Sequence, residues 1–79
     1  MSWNYRVVRK QNPHFGQEDE PDHYYGIHEV YYDKNGNPST VSVESQAPFG
    51  ESRNELWIVL DKFREAFTKP ILDFENIGS

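Results

Sequence analysis

Only one stretch of this 79-residue chain repeats its hydrophobic side chains at helical spacing, and both of its ends carry their own stop signals. Ser52-Arg53-Asn54-Glu55 has the capping-box pattern, in which a serine hydroxyl takes an orphan amide and a glutamate three residues on reaches back. Glu51 and Glu55 also sit favourably at the positive end of the helix dipole. Leu56, Val59, Leu60, Phe63, Ala66 and Phe67 then fall on one stripe. Pro70 lacks an amide hydrogen and restricts its predecessor, so the pattern predicts a helix over about 53–69. With a single helix available, the rest of the core must come from strands.

Period-two alternation supplies them. Over residues 3–10, Trp3, Tyr5 and Val7 point one way, and Asn4, Arg6, Val8 and Lys10 the other. Residues 11–23 break the pattern with Asn12-Pro13, Gly16 and a run of acids and amides, which reads as a surface loop. Residues 24–33 form the strongest strand. Asp33-Lys34-Asn35-Gly36-Asn37-Pro38 is a hairpin turn, because Asn-Gly reaches positive φ at low cost. A short polar strand over 39–45 follows. The expected fold is α+β: a three-stranded antiparallel meander with one C-terminal amphipathic helix packed on one face, in one domain spanning 1–79. The apolar tail, 70–79, is expected to lie against the domain or a partner.

A chain this short buries only about 60–65 % of the surface its unfolded form exposes. It has no cysteine to brace it, so two Trp, five Tyr and five Phe must supply much of the buried area. The net charge of −5 repels phosphate backbones and argues against general nucleic-acid binding. No apolar run approaches the roughly 20 residues of a membrane span, and the N-terminus does not read as a signal peptide. The expected setting is the cytoplasm.

Chemistry-bearing patterns are sparse. His14, His23 and His28 lack the paired spacing of a transition-metal site, so no metal and no cofactor is expected. The acidic loop residues Glu18, Asp19, Glu20 and Asp22 lack the ligand order and turn glycine of a calcium loop. No cysteine nucleophile, Gly-x-Ser-x-Gly elbow or phosphate loop is present, so an enzyme is not expected.

The informative residues are the surplus hydrophobics. Residues 24–33 place Tyr24, Gly26, His28, Val30 and Tyr32 on one face and Tyr25, Ile27, Glu29 and Tyr31 on the other. One helix covers one face. Burying Glu29 unpaired costs more than burying a neutral histidine, so the even face is assigned to the helix. Tyr25, Ile27 and Tyr31 are then left for a partner. Trp57 flanks the helix stripe and Ile58 lies on its far side, and both join that candidate partner-binding set.

The order of elements, with Gly50-Glu51-Ser52-Arg53-Asn54-Glu55-Leu56 opening the helix, resembles the HicB-type antitoxins, whose domain is similar to a partial ribonuclease H fold. The likeness covers residues 3–68 as a pattern. It departs in a longer, more aromatic 24–45 hairpin, and no DNA-binding segment is read after the helix. The resemblance implies no nuclease activity, since no clustered acids map onto the strands. Trp3–Val7, Tyr25–Asp33 and Lys69–Asp73 also resemble stretches of small uncharacterised bacterial proteins. The expected function is a non-enzymatic interaction module, antitoxin-like or self-associating, that binds a protein partner or forms a homodimer. The alternative is a small-molecule or metal-binding domain using His28 and neighbouring tyrosines.

Overall fold

Alternation along residues 2–11 produces one long strand, β1 (Ser2–Gln11), and a second, β2 (His23–Tyr32), pairs with it antiparallel over its whole length. The structure, a computed structural model, describes residues 2–13 and 21–78. The register sets Trp3 opposite Tyr31, Tyr5 opposite Glu29 and Val7 opposite Ile27. Buried Asn12 closes the connection between the strands. Its backbone N–H donates to the Asp22 carbonyl at 3.0 Å, and its side-chain amide donates to the Pro21 carbonyl at 2.7 Å. His14, Glu18, Asp19 and Glu20 lie outside the described residues.

The hairpin turn forms where Asn-Gly marks it. Gly36 has φ +83°, and one Asp33 carboxylate oxygen accepts from the backbone N–H groups of Asn35 and Asn37. The strand that follows, β3 (Pro38–Val41), is shorter than the expected 39–45. Its regular pairing ends past Val41, opposite Val30, where Ser42 takes over with its side chain, which accepts from the Glu29 N–H; the register shift at Tyr31/Tyr32 lies at the other end of β3, beside the turn. Residues beyond it still touch β2, through Ser42 N–H to the Glu29 carbonyl and Gln46 N–H to the Ile27 carbonyl.

Helix α1 (Arg53–Ala66) starts at its Ser52 cap. The Glu55 N–H donates to Ser52 Oγ at 3.1 Å, and the Glu55 carboxylate accepts from the Glu51 N–H at 2.7 Å. The helix ends three residues before the expected Lys69. The Thr68 hydroxyl donates to the Glu65 carbonyl at 2.7 Å, satisfying in part the last turn that Pro70 prevents from continuing. After Pro70 the chain makes β4 (Leu72–Asp73), parallel to β1 at Val8 and Arg9, and then a 3₁₀ turn over Phe74–Asn76.

The sheet is therefore four-stranded and mixed, in the order β3-β2-β1-β4, and not a three-stranded antiparallel meander. A two-residue strand is too short to show any period, which is why the tail did not read as one.

The side assigned to the helix is also corrected. Tyr5 meets Phe63 edge to face, with ring centroids 4.7 Å apart, and Tyr5 shares its face with Tyr25, Ile27, Glu29 and Tyr31. The helix lies on the odd face. Glu29 escapes the expected penalty because α1 makes its sheet contacts chiefly with β1, which leaves Glu29 half-buried beside β1 and not under the helix. Of the helix stripe, only Phe63 and Ala66 are buried. The Cα radius of gyration is 14.1 Å, against about 12 Å for a compact chain of this length.

A helix docked by so little side chain depends on its own cap. Ser52→Ala is expected to lower stability by about 1 kcal/mol, read as a shift in the urea midpoint. An unchanged midpoint would show that the cap contributes nothing.

Candidate interaction surface

The two faces of β1 have different covers. On the even face the tail acts as the second layer. Arg6 is buried there, donating from Nη1 to the Tyr32 hydroxyl at 2.9 Å and from Nη2 to the Pro70 carbonyl at 2.7 Å. Among the described residues its Nε–H has no partner. The Tyr32 hydroxyl passes the network on to Asn4 Oδ1 at 2.7 Å. Further along, Lys10 Nζ sits 4.5 Å over the Phe74 ring, whose centroid is 6.1 Å from that of His28. Gly78, at φ +81°, comes so close to β3 that a Cβ there would stand 2.7 Å from the Ser39 carbonyl oxygen. The tail thus crosses the sheet from the β1 edge to β3; the sequence alone leaves open whether the domain or a partner covers it.

His28 is buried on this face, with Nδ1 2.9 Å from the Ser42 carbonyl oxygen. A carbonyl only accepts, so Nδ1 carries a proton and donates it. Beside it is a shallow hollow of 360 Å³ whose walls include Lys10, Tyr24, Val43 and Glu44. Among the described residues no three His, Asp or Glu side chains gather as a metal would require.

The odd face is open beyond β1. Trp3 stacks edge to face on Tyr5 at 5.2 Å and tilts against Tyr31 at 6.1 Å, continuing the ring contacts that begin at Phe63. Past them lie the residues proposed from sequence. Tyr25 is 61 % exposed, and Ile27 and Tyr31 are half-buried. The Tyr31 hydroxyl donates to Glu29 Oε1 at 2.9 Å. That bond and the Glu29 charge hold the Tyr31 pKa above its ordinary value, while Tyr5 is raised first by burial and then by Glu29. The face therefore presents aromatic rings around the Glu29 carboxylate, with the Arg9–Asp73 pair at its Tyr25 end.

On the helix, Trp57 is 72 % exposed and the tail does not reach it, since the tail lies on the opposite side of the sheet. Ile58 is exposed as well, but beside Phe49 and Glu55, on a different flank from Trp57. The five proposed residues thus form one sheet patch, one helix flank and one separate aliphatic. Leu60 and Phe67 belong with Trp57 and were assigned to the core from sequence. Their exposure, 70 % for Phe67, follows from how little of the stripe meets β1. The helical wheel could not reveal this, because it gives the direction of a side chain and not the distance to the sheet.

No protein-family model, curated protein or solved structure matches this chain. No helix among the described residues is long and apolar enough to cross a membrane.

The tail is latched to β1 by Arg9, whose Nε donates to Asp73 Oδ1 at 2.6 Å. This bond holds the Asp73 carboxyl below its ordinary value of 3.8. The pair's contribution is therefore present above that value and is lost as the pH falls through the lowered one. From about pH 5 to about pH 2, wild type is expected to lose more stability than Asp73→Asn, measured by denaturant titration. Identical acid profiles would show that the pair does not anchor the tail.

Proposed function

We propose that this protein is a non-enzymatic interaction module that docks a protein partner on the open side of its sheet. One observation carries the reading: Trp57, Phe67, Leu60, Trp3 and Tyr25 are all exposed on the helix side of the molecule, where α1 leaves β2 uncovered. Large apolar side chains facing water together are costly, and aromatic residues are the usual anchors of interfaces. On the even face the tail already occupies the centre, and the exposed Tyr24 and Val43 are left at one end of it beside Lys10 and Glu44.

The likeness in layout to HicB-type antitoxins gives the partner one concrete form. A small basic toxin would meet a chain of net charge −5 favourably. The module would then act by occupying its partner's surface, with no bond made or broken.

The test uses the double variant Ile27→Lys, Tyr31→Glu, checked by circular dichroism for an intact fold. Crosslinked in its native cells, wild type is expected to migrate in a complex larger than one chain, and the double variant as a single chain. A wild type that never crosslinks, or a folded double variant retained in the same complex, overturns the reading.

A further inference from the structure

We infer that the open sheet face and the exposed helix flank are the two halves of one self-complementary interface, and that the occupant is a second copy of this chain. The inference rests on the interaction reading above and names its partner.

The helix flank is built by spacing. At about 100° per residue, Leu56, Phe67, Leu60, Arg53, Arg64 and Trp57 all fall within about 100° of arc, beside the ridge of Phe63 and Ala66 that faces β1. This flank is apolar with a cationic edge. Among the described residues Arg64 has one ion-pair partner, Asp61 on the same helix at 3.2 Å, with Arg64 largely and Asp61 about half in water. The sheet face has the opposite character. Tyr25, Ile27 and Tyr31 surround the carboxylate of Glu29; the other charges on this face, Arg9 and Asp73, are paired with each other at 2.6 Å and leave Glu29 as the anion without a cationic partner among the described residues. Cation-edged aromatic surface suits anion-bearing aromatic surface in shape and in sign.

The two halves cannot meet within one molecule, because Phe63 and Ala66 turn the helix's other side toward β1. They can meet between two. A two-fold axis brings the flank of each copy onto the sheet face of the other, so each half is used twice. A foreign partner would have to supply both chemistries itself.

The area is sufficient. An aromatic side chain presents about 150–250 Å². With the exposed fractions of Trp3, Tyr25, Trp57, Leu60 and Phe67 and the half-buried Ile27, Tyr31 and Leu56, the patch approaches the roughly 800 Å² per partner of a standard interface.

Sedimentation velocity over a wide concentration series tests the inference. Wild type is expected to reach the mass of two chains. Arg64→Glu alone and Glu29→Arg alone should each weaken self-association at least about tenfold, because symmetry counts each change twice. The two substitutions together should restore it, which no loss of monomer stability would do. Trp57→Glu, at a site already in water, should abolish it with an unchanged circular dichroism spectrum. If Glu29→Arg fails to fold, Arg64→Glu and Trp57→Glu decide alone. A wild type that stays one chain at every concentration overturns the inference, as does a dimer indifferent to Arg64→Glu and Trp57→Glu. A purified monomer that still crosslinks to a different protein through Ile27 and Tyr31 overturns the second copy as occupant while leaving the interaction reading intact.

Discussion

The structure depends on the two-sidedness of β1. Successive side chains of a strand point to opposite faces, so ten residues in one extended run can hold two layers at once. Tyr5 and Val7 receive the helix, while Arg6, Val8 and Lys10 receive the tail. Val8, with Val30 beside it, is fully buried on the tail side, and Val7 is buried on the helix side. No other element touches as much. Strand β1 pairs with β2 along its length, pairs with β4 at Val8 and Arg9, and supplies most of the sheet's contact with α1.

The two layers differ in how they are held. The tail is fastened by directional bonds: Arg6 to Pro70, Arg9 to Asp73, and a cation over the Phe74 ring. These fix its path across the sheet in detail. The helix is held by ring contact and by Ala66, with hardly any polar bond to the sheet, so burial alone sets its position. Burial here is incomplete. Hydrophobic stabilisation scales with the area removed from water, and much of the apolar surface of α1 remains wet. This imbalance, a tightly tied tail and a loosely covered helix, is what gives the molecule one finished side and one open side.

Much of this was legible in the residues. The start of the helix followed from Ser52 and Glu55, and the hairpin from Asn35-Gly36, because both are local: the side chain that signals the turn or cap is the one that makes the bond. The long strands followed from alternation. Three features were not legible, each for a non-local reason. Strand β4 is two residues long and exists because the Val8–Arg9 edge accepts it. The end of β3 is set at Ser42, whose side chain takes the Glu29 N–H that a backbone carbonyl would take in a continuing ladder. The helix-facing side of the sheet was misassigned by treating Glu29 as a buried acid. That cost applies only beneath a helix centred on β2, and the lateral position of a helix over a sheet leaves no mark in either element's own sequence. Of the candidate surface, Tyr25, Ile27, Tyr31 and Trp57 were visible as surplus hydrophobics, whereas Leu60 and Phe67 were hidden because they fit the core stripe.

The bonds between the first strand and the tail join residues 64 positions apart. Such pairings close late, since the entropy of a long loop must be overcome before the contact returns anything. During synthesis β1 leaves the ribosome before residues 70–73, and until they follow its even face has no cover. Arg6 and Lys10 punctuate that face, so the waiting strand is a charged edge that resists pairing with another nascent chain. Charges on a strand that stays uncovered until residues 70–73 are made are of the gatekeeper kind, and the buried arginine whose Nε lacks a partner among the described residues stands at such a position.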